Sequence, residues 1–532
     1  MLKQKLSYLS NPLFWPSLFL LHLALRWSLL HTTFLDIDEA QFAGFARVLL
    51  DGGLPYRDSL DTKSLGIYLF YAACFKLFPA NPMLGVRIIT WLWSFAEAAL
   101  LAAVLRQGLG QTISAKKIGR LAAFFFVIFS TTFIPKYLGT SINSVMILFL
   151  IGSVFFTLKA EENPNKEIIY DALSGFFVGL ALLFKYQAGI QFFVFALFVS
   201  PLFPLLKTSP SGSRVIKRVI IFGLALCMPF ALQGLLLWEM GVWTDFVQWS
   251  ILGSGAYIVQ GGSSISFWRA FLAKALPYLL STSLIWFLAG LAIHSSRKKT
   301  STKMPDAFRY GLLWAALTLI PVSLSGRFYG HYFLQILPAI CLLAAFGFDS
   351  LDWTRKPLLK KSLIGILIIL PTILFGILRW DTHRFNELFP DDSLNEQEII
   401  GQRVRLQVAP NEKIFVWGFA TAIYYHAHGS PMSRFLWTDL LVGRVPGASV
   451  TPELAKAYRN PKAWEAFWED WHKNPPAVFV DTSPGNIHGY AAFPPKNYPE
   501  LASEIAEHYE LKENVLGAVI YRRNSRRKSS NF

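Results

Sequence analysis

At 532 residues, 53% of them hydrophobic, and with a mean hydropathy of +0.39, the chain is too apolar for an ordinary soluble protein. Its net charge of +16 sits in short loops between apolar runs and not on one folded face, which speaks against nucleic-acid binding and for membrane topology. Cys74, Cys227 and Cys341 fall singly in apolar segments, so neither a disulfide framework nor a cysteine metal site is expected.

Apolar runs recur along residues 11–380 at roughly the 17–25 residues that cross about 30 Å of hydrocarbon. The first, 11–30, follows Lys3 and Lys5 but exceeds a signal h-region and has no small-x-small site after it, so it reads as a retained signal-anchor helix. The loop at 32–82 comes next. It gathers six carboxylates, Asp36, Asp38, Glu39, Asp51, Asp58 and Asp61, into 26 residues, whereas the first 380 residues hold only 16 acidic side chains. Residues 38–50 place Phe42, Phe45, Ala46 and Leu49 on one helical face, with Asp36 or Asp38 as N-cap and Asp51-Gly52-Gly53 as the stop. The stretch 64–78 is too short to span. It is predicted to lie in the outer interface, anchored by Tyr68, Tyr71 and Phe75.

Further spans are expected at 83–105, 119–136, 139–158, 171–186, 188–206, 216–238, 268–293, 309–325, 331–348 and 362–380, which with 11–31 makes eleven. Lys185-Tyr186-Gln187 allows either a tight outer turn or a displaced helix. With a cytoplasmic N-terminus, the inner segments and their flanks hold about 21 Lys/Arg against about nine in the outer loops. The 32–82 loop, the 239–267 loop, the 325–330 turn and everything after 380 then face outward. Charges inside spans are functional candidates. Glu97 reads as a buried structural partner and Lys185 as a phosphate ligand, with Arg269 and Lys274 as further phosphate candidates.

Residues 381–532 change character, with 17 Lys/Arg and 18 Asp/Glu. Strand-like runs at 413–418 and 477–481 alternate with helix-like stretches at 452–458 and 501–509, which suggests a small α/β domain. His426 and His428 read as surface histidines, and the basic run 522–528 as a disordered tail. The expected fold is an α-helical polytopic membrane protein with about eleven transmembrane helices in residues 1–380, followed by a C-terminal extracytoplasmic α/β domain over 381–532.

Several motifs follow one another in order: Asp38-Glu39-x-x-Phe42, Gly53-x-Pro55-Tyr56-x-Asp58, Asp61-x-Lys63-Ser64-x-x-x-Tyr68, Gly326-Arg327-Phe328-Tyr329-Gly330-His331-Tyr332, Phe415-Val416-Trp417-Gly418 and Ser433-Arg434-Phe435. Together they resemble polytopic glycosyltransferases of the GT-C class. Within it they are similar to the bacterial dolichyl-phosphate-mannose–protein mannosyltransferase-like family, which includes aminoarabinose transferases. The resemblance implies a polyprenyl-phosphate sugar donor, an acceptor glycan, lipid or protein at the outer face, and a bacterial inner-membrane location. It makes Asp38 the base and Asp61 a second catalytic carboxylate. Glu39, Tyr56, Lys63, Lys185, Arg327, His331 and Tyr332 become substrate contacts. For Glu39 a charge at a helix N-terminus is the competing reading, and for Lys63 a salt bridge with Asp61. Ser64 departs from the family pattern, where many members have proline.

Some members of the class bind a divalent metal through loop carboxylates and others do not; Asp38, Asp61 and His331 are the candidate ligands here, and a divalent metal is the one cofactor the resemblance leaves open. The competing functions are a lipid-linked sugar transporter or flippase and a non-catalytic assembly protein. A transporter calls for internal repeats and broken helices with charges near the midplane, whereas the sequence has no clear repeat and its loop carboxylates lie at the outer surface.

Overall fold

The computed structural model describes residues 12–524 apart from 111, 133–137, 201–210, 254–263, 299–303, 353, 355, 381–392, 445–450 and 460. Helices lie over every expected span: Phe14–Arg26, Pro82–Leu109, Ile113–Phe129, Ile142–Glu162, Glu167–Leu182, Ile190–Val199, Gly212–Glu239, the pair Phe267–Ser281 and Ser283–Arg297, Asp306–Ser323, Leu337–Asp349 and Pro357–Trp380. Four helices among the described residues are long and apolar enough to cross a membrane singly, and the bent pair makes a fifth. The protein is a multi-pass membrane protein.

Two spans depart from straight rods. The expected helix over 268–293 bends by 75° between Phe267–Ser281 and Ser283–Arg297. A π-helical stretch, Phe271–Ala275, precedes Pro277, and the Tyr278 carbonyl accepts from the hydroxyls of Ser281 (2.9 Å) and Thr282 (2.7 Å) in addition to the Thr282 amide (3.0 Å). The Lys185 region resolves as a tight turn. The helix ends at Leu182, Lys185 is extended (φ −152°, ψ 124°), and a 3₁₀ turn, Tyr186–Gly189, starts the next helix.

The loop after the first span folds as two helices, Ile37–Leu50 and Gly66–Leu77. Asp36 caps the first, accepting from the Asp38 amide at 3.0 Å, and Asp51 closes it. The second does not turn its tyrosines outward as anchors. Tyr68 and Tyr71 are fully buried, Tyr68 stacks on Phe45 at 3.7 Å, and the Tyr71 hydroxyl donates to the Thr140 carbonyl at 2.8 Å. Their spacing of three residues lays both rings on the face turned to the first loop helix, so they fill core instead of anchoring at lipid.

Beyond residue 393, five strands form one sheet in the order β2-β1-β3-β5-β4: β1 Lys413–Trp417, β2 Ser430–Pro431, β3 Val478–Asp481, β4 Tyr509–Val515 and β5 Ala518–Arg523. β1 runs parallel to β2 and β3, while β5 is antiparallel to β3 and β4. The start of the basic run is ordered structure and not tail: Arg522 lies in β5 and donates to Glu412 at 2.6 Å, while residues 525–528 lie outside the described residues. The helix Ala422–Ala427 packs on the first loop helix, and Phe34 meets Tyr425 and His426 at ring distances of 5.1 and 5.7 Å. His426 is therefore half-buried in this seam and not a surface group.

Candidate functional site

The adjacent carboxylates Asp38 and Glu39 point into different surroundings. Glu39 is buried and forms a forked ion pair with Arg87; its Oε2 takes Arg87 Nη2 at 2.8 Å and the Leu35 amide at 2.7 Å, and its Oε1 takes the Thr140 amide at 2.5 Å. Arg87 also donates to the Thr32 and Thr33 carbonyls at 3.2 and 2.9 Å. A carboxylate so fully occupied has no lone pair left for substrate, and this corrects its expected substrate contact. Glu39 ties the loop to the helix Pro82–Leu109 and to the segment before Ile142–Glu162. Gly139 belongs to this clamp, since a Cβ there would lie 2.8 Å from Glu39 Cδ.

Asp38, one residue earlier, keeps its side chain 34% exposed and stands 3.9 Å from Lys63 Nζ. Lys63 bridges the group: its Nζ lies 3.4 Å from Asp61 and 3.3 Å from Gln41 Oε1, and over the Phe42 ring at 5.3 Å. Asp61 is buried, accepts from the Thr62 amide at 2.6 Å, and is turned to Lys63. Three of the expected residues thus meet directly, with Asp38 the one whose carboxylate opens outward.

Tyr56 is also buried; its hydroxyl donates to the Lys63 carbonyl at 2.9 Å. The Ser250 hydroxyl donates to the same carbonyl at 2.9 Å from a π-helical stretch, Val247–Leu252. Tyr56 sits at φ 63°, a conformation that costs a bulky residue energy and is sustained by its packing on Phe246 and Phe45. The structure therefore makes Tyr56 a support for Lys63, in place of the expected substrate contact.

A second group faces the first. Lys185 donates to Asn143 Oδ1 at 3.2 Å, lies over the Tyr332 ring at 4.2 Å, and is within electrostatic range of Asp38 and Lys63. The 3₁₀ turn Gly330–Gln335 carries His331 edge-on to Tyr332 at 4.8 Å and stacked on Tyr329 at 5.9 Å, with Lys274 4.1 Å above Tyr329. Arg327 is buried at the start of this turn, where Gly326 and Phe328 both take positive φ. Of the other loop carboxylates, Asp51 pairs with Arg47 at 3.2 Å and Asp58 accepts from the Leu54 amide at 2.7 Å, both as turn residues.

The expected metal set does not assemble. The Lys63 ammonium stands between Asp38 and Asp61, and among the described residues no three His, Cys, Asp or Glu side chains converge to hold an ion. Arg87, Gln41, Asn143 and Ser250 were not among the sequence candidates. Only Arg87 carried a signal, as a cation within the expected span 83–105. The site as a whole offers one accessible carboxylate beside two ammonium groups. That arrangement suits removing a proton from a nucleophile while holding an anion.

The family described as Dolichyl-phosphate-mannose-protein mannosyltransferase matches residues 62–233. No curated protein sequence matches the chain. Among solved structures the chain is similar to ArnT from Cupriavidus metallidurans bound to undecaprenyl phosphate, with a TM-score of 0.62 at 12% identity, covering 97% of this chain and 99% of that one. It is also similar to the archaeal oligosaccharyltransferase AglB from Archaeoglobus fulgidus in complex with an inhibitory peptide and a dolichol-phosphate, with a TM-score of 0.57 at 12% identity, covering 99% and 75%. ArnT in the apo state gives 0.55 at 13% identity, covering 91% and 92%. The fold is that of the GT-C class, mostly helical with a small C-terminal sheet. Within that class the chain is mannosyltransferase-like over residues 62–233 and similar in fold to aminoarabinose transferases.

Proposed function

We propose that the protein is an inverting membrane glycosyltransferase that moves a sugar from a polyprenyl-phosphate donor to an acceptor hydroxyl on a glycan, lipid or protein. The observation that carries this reading is the exposed Asp38 carboxylate beside Lys63, with Lys185 and Tyr332 facing it. The family match at residues 62–233 supports glycosyl transfer, and the lipid phosphates bound in the ArnT and AglB structures support the donor class. The 75° break between Phe267–Ser281 and Ser283–Arg297 is a feature a transporter would share, but the family match speaks for transfer and not transport.

In this reading Asp38 takes the acceptor proton as the acceptor atom bonds to the anomeric carbon, and the carbon–oxygen bond to phosphate breaks on the opposite side. The polyprenyl phosphate leaves with both electrons of that bond. Its growing charge is met by Lys63 and Lys185, with His331, Tyr332 and Arg327 beside them, so these groups act more strongly on the transition state than on the ground state. Asp61 orients Lys63, while Glu39 and Tyr56 hold the backbone that carries Asp38 and Lys63. The division into a membrane part (1–380) and an extracytoplasmic part (381–532) belongs to the same proposal. So does a bacterial inner-membrane location with the N-terminus cytoplasmic and the site outside.

The test is transfer by the reconstituted protein from labelled polyprenyl-phosphate sugars, comparing wild type with Asp38→Asn. Transfer by wild type and its loss in the variant are expected. Undiminished transfer by Asp38→Asn removes the mechanism, and no transfer or sugar release from any such donor removes the function.

A further inference from the structure

Three consecutive residues of the C-terminal region, Arg434, Phe435 and Leu436, each touch a different support of the site. The Arg434 carbonyl accepts from the Leu60 amide at 2.9 Å, one residue before Asp61. Phe435 meets Trp249 edge-on at 6.4 Å, and the neighbouring Ser250 holds the Lys63 carbonyl. Leu436 Cδ1 lies 3.1 Å from where a Cβ on Gly44 would stand, on the helix that carries Asp38. Phe435 and Leu436 are both buried.

Asp470 does most to fix this segment, with Glu469 Oε2 3.5 Å from Arg434 Nη2 beside it. Asp470, on the helix Pro461–Lys473, accepts from the Ser433 hydroxyl, the Arg434 amide and Arg434 Nε through Oδ2, each at 3.0 Å. Its Oδ1 takes Arg434 Nη2 at 2.7 Å. A forked, charge-assisted pair with two further hydrogen bonds leaves the backbone at Arg434 one geometry.

We propose that residues 433–436, locked by Asp470, are a latch through which the C-terminal region sets the positions of Asp38, Asp61 and Lys63. The latch rests on the glycosyltransfer reading for its catalytic consequence. Arg434 and Asp470 are positioning residues, since neither touches the reacting groups. A displacement of about 1 Å at a reacting centre costs on the order of 10²-fold in rate, so a loosened latch lowers turnover before it lowers donor binding.

The experiment uses the full-length protein in lipid nanodiscs with a labelled polyprenyl-phosphate sugar. It compares wild type, Asp470→Asn, Arg434→Lys and, as a control, Arg403→Gln, which removes a surface pair with Glu513 on β4. The expected result for Asp470→Asn is a kcat at least about tenfold lower with the donor KM within about twofold. Arg434→Lys, which keeps the charge and the Ser433 contact, falls less, and Arg403→Gln matches wild type. Hydrogen exchange in the same samples reads the latch without activity: the Leu60 amide should exchange at least about tenfold faster in Asp470→Asn while peptides from 82–109 are unchanged. An unchanged kcat, an unchanged Leu60 exchange rate, or a joint fall of kcat, donor affinity and melting temperature overturns the latch. An inactive wild type removes the glycosyltransfer reading alone, and Leu60 exchange then decides whether the latch exists. If Asp470→Asn does not fold, Arg434→Lys carries both measurements, and wild-type values for it overturn the proposal.

Discussion

Asp38 and Glu39 are neighbours in the chain with opposite environments, and their substitutions should separate accordingly. Asp38→Asn removes an exposed carboxylate that carries no structural hydrogen bond to a buried partner, so the melting temperature should hold while kcat falls by about 10²–10⁴. Glu39→Gln leaves the buried Arg87 guanidinium uncompensated, a loss of about 3–5 kcal/mol, which should appear as a lower melting temperature and poor yield. A differential scanning profile beside transfer kinetics checks both. Equal loss of stability in the two variants would show that the division of roles is wrong. The pair was legible in the sequence as an acidic helix start, but its division was not. Arg87 is 48 residues from Glu39 and Thr140 is 101 away, separations at which one sequence carries no sign of contact.

At the scale of elements, the length of the apolar runs placed the spans, and helical periodicity placed the first loop helix, because a buried stripe repeats on the helical turn. It did not show which way the short apolar helix over 64–78 turns its tyrosines, which are buried. The N-terminus of this helix docks on the break before Lys185. The Gly66 amide donates to the Leu183 carbonyl at 2.7 Å, and a Cβ on Gly66 would lie 2.5 Å from that oxygen. Gly66→Ala should therefore push the second loop helix off the turn that carries Lys185, at a cost of about 1–3 kcal/mol or more, since the obstacle is backbone and cannot rotate away. Because Lys185 meets charge that grows on the leaving phosphate in the proposed reaction, kcat should fall more than the donor KM rises. A kcat at the wild-type value, in protein of wild-type stability, would contradict the packing. The β4–β5 hairpin was equally hidden. Its turn is Leu516-Gly517, both at positive φ (51° and 83°), and leucine gives no turn signal there.

For the molecule as a whole, the bundle has two ends of different chemistry. At one end Asp38, Lys63 and Lys185 gather beneath the C-terminal region. At the other, Arg218 forks onto Asp171 (2.7 and 2.9 Å) and reaches Glu161, while Arg214 pairs with Glu167. That second end holds the termini of Ile142–Glu162, Glu167–Leu182 and Gly212–Glu239, whose flanks carry Lys159, Lys166, Lys207, Arg214, Lys217 and Arg218. The Lys/Arg bias orients the chain even where cations are paired, because orientation follows Lys and Arg and not net charge. The end with Arg218 should then be cytoplasmic and the end with Asp38 outside. Single cysteines in a Cys227→Ser background decide this, since Cys74 and Cys341 are buried. Lys116→Cys, on an exposed position near the start of Ile113–Phe129, should react with a membrane-impermeant maleimide only after the cells are opened. Leu511→Cys, 61% exposed on β4, should react in spheroplasts that are still sealed. The reverse pattern would put the site on the cytoplasmic face, where the outward-facing acceptor of the proposed reaction has no access, and labelling of both positions in sealed cells would break the single orientation on which that reaction depends.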